Sequence, residues 1–300
     1  MPLYQLTSQS TVNQVKPASF QSEKELQQLF EANLDKLLGV RFIATEFFTG
    51  DRQKGRIDTL GLDQDGSPTI IEYKISSKEN VINQGLFYLD WLVDHKGDFT
   101  MAAQEVLGDH VAIDWSQPRL ILIAESFSEY DKYAVNRIGA NIELWTYRRY
   151  GEEHLYLEPI FTSTPLRKIP SEESIIEPGQ ETFSVEEHLQ GKSEHIQALF
   201  SAFQERLFAL GDEGEIIEKP NKMYISYKHG KNFCEVKIQS QELKMWLDIV
   251  KQDLIDPHDL ARDVSEVGHH GTGDVEVKLY SMDELDKVMD LVEQSYRVTT

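Results

Sequence analysis

Cysteine is nearly absent: Cys234 is the one such residue in 300. A lone thiol excludes an internal disulfide framework and any zinc site built on several cysteines, and it suits a reducing compartment. Long apolar runs are missing too. No stretch nears the roughly 20 apolar residues that span a bilayer, and the opening MPLYQLTSQSTVNQVK has no apolar core for a secretory signal. A cytoplasmic protein without a membrane partner is therefore expected. Positive charge is also scarce, since 30 Lys and Arg face 51 Asp and Glu, a net charge of −21. That balance excludes a domain-wide basic footprint, the usual source of affinity for many phosphates at once.

The deficit is spread along the chain: −9 over residues 1–166, −4 over 167–191 and −8 over 192–300. Basic residues cluster only locally, at Arg52, Lys54 and Arg56, at Lys74 and Lys78, and at Arg148–Arg149. Contact with nucleic acid has to be local or helped by a partner or by metal ions. At 40% hydrophobic and 27% charged residues the composition is that of a globular protein, and its length suits two domains.

Ser22 followed by Glu25 is a capping-box signature, and Leu26, Leu29, Phe30, Leu34, Leu37 and Leu38 recur at helical spacing up to Gly39. Three strands are expected at 40–48, 56–63 and 68–75, the last two joined by the Asp-Gly turn 64–67. A second helix is expected over about 78–96 with Ile82, Leu86, Leu89 and Val93 inward. A buried strand at 119–126, a helix at 129–139 and a closing strand pair complete the order α-β-β-β-α-β. This is an α/β core with a mixed central sheet, filling residues 1–162.

Pro165, Pro170, Pro178 and an acidic excess mark 163–191 as a linker. Residues 192–300 then read as a small α+β domain, with a helix at 195–210, strands within 222–250 and 273–281, and a terminal helix. Its Gly268-His-His-Gly-Thr-Gly-Asp274 loop is singled out as a candidate metal or anion site, although its spacing matches no zinc motif.

Chemistry concentrates in Gly55-Arg-Ile-Asp58, Glu72-Tyr-Lys74 and Gln84-Gly-Leu-Phe-Tyr88. A hairpin brings Asp58 at the start of one strand beside Glu72 near the end of the next. Two adjacent carboxylates repel unless a cation or a proton lies between them. Oxygen donors suit Mg²⁺ or Mn²⁺, which polarise a phosphodiester and acidify a bound water. Lys74, two residues after Glu72, points to the same side of its strand. At 100° per residue Gln84, Tyr88, Trp91 and His95 form one stripe, expected to face away from the apolar side of their helix.

This ordered set resembles the PD-(D/E)XK nuclease superfamily, its RecB-like branch with a Gln-x-x-x-Tyr helix, and most of all the NucS-type endonucleases, over about residues 20–150. The resemblance implies a restriction-endonuclease-like core and a Mg²⁺- or Mn²⁺-dependent endonuclease acting on nucleic acid, DNA in preference to RNA. It implies Asp58 and Glu72 as metal ligands with the Tyr73 carbonyl, Lys74 as the catalytic lysine, and Gln84 and Tyr88 as helix-borne catalytic support. Ile57 stands where the superfamily name has proline. Many members add a glutamate from the first helix, and helical angles select Glu23 as that metal ligand. Enzymes of this class often act as homodimers. Residues 184–300 resemble a small domain of unknown function found behind nuclease-like domains, a candidate site for a protein partner. The acidic surface supports the alternative of a catalytically inactive nuclease fold that binds nucleic acid or protein.

Overall fold

The computed structural model of the chain describes residues 2–8, 11–50, 54–75, 81–163, 183–212, 214–268 and 271–299. Arg52, Lys78, His269 and His270, and most of the segment read as a linker, lie outside the described residues. The chain divides into two units, Met1–Ile169 and Pro170–Thr300.

In the first unit a two-stranded ribbon, β1 (Leu3–Leu6) and β2 (Val12–Val15), leads into β3 (Pro17–Ala18). The segment expected as one helix is two, α1 (Glu23–Glu31) and α2 (Leu34–Leu38). Asn33 breaks it: its side-chain amide donates back to the Leu29 carbonyl at 2.9 Å, competing with the helical ladder. Ser22 caps α1 as expected, its Oγ accepting the Glu25 amide at 3.1 Å. The Glu25 carboxylate instead takes the Gln21 amide and Arg149. Arg149 also lies over the Phe20 ring, so this basic pair is partly engaged within the unit.

β4 (Val40–Phe48), β5 (Arg56–Asp63) and β6 (Pro68–Lys74) follow, close to the expected bounds. The Asp-Gly turn closes β5 to β6 with Gly66 at φ +82°, a conformation L side chains avoid, and a Cβ there would meet the Ala112 carbonyl at 2.9 Å. Next come α3 (Val81–Asp94) and α4 (Lys96–Leu107). Sequence does not predict the second of these, because Gly97 reads as a stop; in the fold it is the second residue of a new helix after a break at His95. β7 (Arg119–Ala124), α5 (Glu129–Ile138), β8 (Asn141–Tyr150) and β9 (His154–Ser163) complete the unit.

Among the described residues the sheet order is β3-β8-β7-β6-β5-β4, with β9 also on β8. β6, β7 and β8 run parallel while β4, β5 and β6 are antiparallel, so the sheet is mixed as expected. Side chains alternating along β7 supply two cores. Leu120 and Leu122 pack with Ile82, Leu92 and Phe99 of α3 and α4, while Ile121 and Ile123 pack with Leu26, Phe30 and Leu38 of α1 and α2. The result is a three-layer α/β/α unit. Arg119 is buried at its base, its Nε and Nη2 held by Glu143 at 2.5 and 2.8 Å and its Nη1 donating to the Leu38 carbonyl at 3.3 Å.

The second unit begins inside the stretch read as linker. α6 (Val185–Leu189) forms there because Ser184 and Glu187 make a complete capping box and Val185 is buried. α7 (Glu194–Phe208) precedes an antiparallel sheet of order β10-β11-β12-β13-β15-β14 among the described residues. Its strands are β10 (Ile217–Pro220), β11 (Ile225–His229), β12 (Lys231–Ile238), β13 (Leu243–Leu247), β14 (Ala261–Asp263) and β15 (Val275–Leu279). Sequence does not predict β10 and β14, since both are too short to show a period. α7 and α8 (Leu285–Thr299) share one core with one face of this sheet, the expected α+β arrangement.

Candidate functional site

β5 and β6 pair with Thr59 against Ile71, so one step further along Asp58 comes opposite Glu72. Each carboxylate takes a main-chain amide from the other strand: Asp58 N donates to Glu72 Oε1 and Tyr73 N donates to Asp58 Oδ2, both at 3.1 Å. That crossed pair fixes both side chains and leaves most of their lone pairs unused.

Glu72 is fully buried, and its Oε2 has no hydrogen-bond partner. An ionised carboxylate is costly there. Burial first, then the neighbouring Asp58, push the Glu72 carboxyl up to about 9. The Asp58 carboxyl is also raised, again chiefly by burial. Lys74 opposes both shifts through its charge. With the pair this buried, the proton that Glu72 holds at neutral pH occupies a place suited to a cation. Two hard oxygen donors, one with an unsatisfied oxygen, fit Mg²⁺ or Mn²⁺ better than a metal that prefers sulfur or imidazole.

The Lys74 ammonium donates to Glu23 Oε2 at 3.2 Å, and the lysine side chain is 9% exposed. Glu23, expected as a metal ligand, here meets the lysine. Among the described residues no three Asp, Glu, His or Cys side chains converge to hold a metal, so Glu23 does not complete a ligand trio with Asp58 and Glu72.

The α3 stripe is corrected. Tyr88 and Trp91 are buried in the helix–sheet core, and Val93 is exposed. The inward face is centred on Val81, Gly85, Tyr88 and Leu92, about one position away from the expected one. Gly85 explains the shift, since a Cβ there would come within 2.9 Å of Leu120 and Leu122. The helix approaches β7 over this glycine, and the tyrosine one turn on is drawn inward with it. From there the Tyr88 hydroxyl accepts the Arg56 amide at 3.1 Å, and its ring occupies the space a Cβ on Gly55 would need, 2.6 Å from Tyr88 Cε1. Tyr88 therefore holds the strand that carries Asp58. Gln84 is half-buried and makes no hydrogen bond among the described residues. Trp91 stacks on His95, with ring centroids 4.7 Å apart. Both line an open groove of about 480 Å³ with Phe47, Phe48 and Met101.

Sequence reasoning missed three contributors. Thr49 fixes the start of β5 by exchanging hydrogen bonds with the Gly55 amide and carbonyl at 2.9 and 3.0 Å. Gln27 is buried beside Asp58. Its signal was legible: a polar residue between Leu26 and Phe30 on the inward side of α1, one turn after Glu23. Glu31, a further turn along, accepts from Thr59 of β5 at 2.7 Å.

In the second unit the glycine-rich loop has a structural account. The buried Glu235 carboxylate accepts from the Thr272 and Gly273 amides at 3.2 and 3.4 Å. A Cβ on Gly273 would collide with the Leu247 backbone. The two histidines of the loop lie outside the described residues. Cys234 is a buried core residue, as its strand pattern implies.

Residues 185–299 match a domain of unknown function, DUF5655. Two solved structures each align with 42% of this chain: a chain of an EndoMS–dsDNA2 complex, at 23% identity and a TM-score of 0.26, and a repair endonuclease from Pyrococcus abyssi, at 22% and 0.24. The alignments cover 45% and 47% of those chains, less than half of each. An uncharacterized protein of Haemophilus influenzae is 32% identical over 299 residues, spanning 95% of this chain and 96% of its own length. At that identity over nearly the whole of both chains, the protein belongs to the family of this Haemophilus influenzae protein.

Proposed function

We propose that the first unit is a metal-dependent phosphodiester hydrolase of the PD-(D/E)XK type acting on nucleic acid, with DNA the favoured substrate. The observation that carries this reading is the buried Asp58–Glu72 pair, whose Glu72 Oε2 lacks any hydrogen-bond donor. A structural salt bridge would have satisfied that oxygen with a cationic side chain; here Lys74 is turned to Glu23. Asp58 and Glu72 would hold Mg²⁺ or Mn²⁺, which when bound polarises the phosphodiester and lowers the pKa of an attacking water.

The remaining roles belong to side chains. Lys74 keeps an ammonium beside the carboxylates, where it offsets negative charge on the phosphoryl group undergoing transfer. Glu23 orients that ammonium through their 3.2 Å contact. Tyr88 holds the Arg56 amide, so the strand bearing Asp58 cannot shift along its neighbour. Arg56 is largely exposed next to Asp58 and supplies local positive charge for a phosphate, although Glu46 now shares it at 3.1 Å.

Cleavage of single-stranded, duplex, mismatched and branched DNA and of RNA, in Mg²⁺ and separately in Mn²⁺, tests the reading. Asp58→Asn and Lys74→Ala should each lower the rate by roughly 100-fold or more while leaving the protein folded. Full activity in both variants would overturn the site. A net charge of −21, with no third acidic ligand among the described residues, favours a second reading in which the fold binds without cutting. Absence of cleavage by the folded wild type on every substrate and with both metals would select it.

A further inference from the structure

We infer that Gln27 is a positioning residue for the Asp58–Glu72 pair; the inference rests on the metal-site reading proposed above. Gln27 lies in the middle of α1 and is 3% exposed. Its side-chain amide donates to three oxygens: the Asp58 main-chain carbonyl at 2.5 Å, Glu31 Oε1 at 2.8 Å and Thr45 Oγ1 at 3.0 Å. Two hydrogens are thus shared among three acceptors on three elements: α1 itself, β4 and β5.

The amide's own orientation is set from its other end, where Lys24 Nζ donates to Gln27 Oε1 at 3.3 Å. A flipped amide would aim its oxygen at the Asp58 carbonyl and the Glu31 carboxylate, neither of which can donate. It would leave both without the hydrogen they now accept, with only the Thr45 hydroxyl able to turn as a donor. The side chain therefore has one arrangement, and in it the amide is locked on the backbone of the residue whose carboxylate faces Glu72.

The geometry separates this role from general packing. Asp58 is held to β6 by Tyr73 N on its carboxylate and by its own amide donating to Glu72 Oε1. Gln27 on its carbonyl instead ties its main chain to α1, the helix that also carries Glu23. Without Gln27 the carbonyl loses its tie to α1, and the spacing of Asp58 from Glu72 and Lys74 depends on the β5–β6 pairing with its crossed carboxylate bonds and on the neighbouring Thr59–Glu31 contact. A cation that needs both carboxylates at once would sense that looseness, because loss of a group that holds ligands in place typically lowers metal affinity by roughly 10- to 100-fold.

Mn²⁺ titration of the full chain, with bound ion followed by the loss of free Mn²⁺ signal in electron paramagnetic resonance, tests this directly. Gln27→Met keeps length and burial but donates nothing, and should raise the Mn²⁺ dissociation constant about tenfold or more. Thr59→Val removes the neighbouring bond to Glu31 but not the tie to Asp58, and should leave it within about twofold. A merely structural Gln27 predicts that both variants melt earlier and bind Mn²⁺ like the wild type, which would overturn the inference. Should Gln27→Met fail to fold, Gln27→Asn withdraws the same amide by one methylene, and unchanged affinity in that variant overturns it equally. Wild type that takes up no Mn²⁺ would reject the metal-site reading and the inference with it. Wild type that binds, with a Gln27 variant that binds as well, would reject the inference alone.

Discussion

Replacing Glu72 by glutamine should change how the first unit's stability depends on pH. Glu72 is fully buried, and burial followed by Asp58 hold its carboxyl protonated up to about 9, against an ordinary value of 4.5. Between those values the folded chain keeps a proton that the unfolded chain has released. Stability contributed by this group is therefore complete below pH 4.5 and is lost as pH rises towards 9. One proton changes the free energy by about 1.4 kcal/mol per pH unit, so the metal-free wild type should lose about 3 kcal/mol from this group between roughly pH 6 and 8. The raised Asp58 carboxyl acts with the same sign above its ordinary value of 3.8.

In the Glu72→Gln variant the side chain keeps its shape and an oxygen for the Asp58 amide, but it carries no titrating proton. Urea unfolding in chelator at several pH values measures the difference. Trp91, Trp115 and Trp145 report the first unit, with Trp246 in the second. The wild-type curve should fall relative to that of Glu72→Gln as pH rises. In excess Mn²⁺ the wild type should instead gain stability with pH, because the ion competes with the proton. Wild-type and variant curves that run parallel in chelator would refute the claim that Glu72 stays protonated in the fold.

Two further perturbations test the scaffold. Glu143→Ala leaves the buried Arg119 guanidinium without its main partner and should cost about 3–5 kcal/mol in the unfolding of the first unit; a loss under about 1 kcal/mol would show that the guanidinium finds water. Gly85→Ala adds a methyl 2.9 Å from Leu120 and Leu122, so calorimetry should show a net loss of about 1–2 kcal/mol despite the better helix propensity of alanine; a gain would mean that α3 can move off the sheet.

The central strands and the carboxylate pair were legible in the sequence because their signals are local. β4, β5 and β6 carry unbroken apolar or alternating runs, and an Asp-Gly turn of fixed length sets their register, which brings Asp58 opposite Glu72. Lys74 follows from the two-residue period of the same strand. The second unit's two long helices, α7 and α8, and its longer strands were equally readable, since each has enough residues to show a period. α6 escapes a sequence reading although its capping box is present, because an acidic, proline-rich surrounding masks five helical residues.

What tertiary structure decided is everything set by approach between elements. Helical spacing places Tyr88 and Trp91 on one side of α3, but which side turns inward depends on where the helix can come closest to the sheet. Gly85 permits contact with Leu120 and Leu122, and that contact, worth more than the difference between two mixed faces, buried the tyrosine. The break at Asn33 depends on a side chain competing with the backbone. Glu23 and Lys74, 51 residues apart, meet only because α1 packs against β6. The charge state of Glu72 is of the same kind: sequence places two carboxylates side by side, and only the burial of the finished fold makes one of them keep its proton.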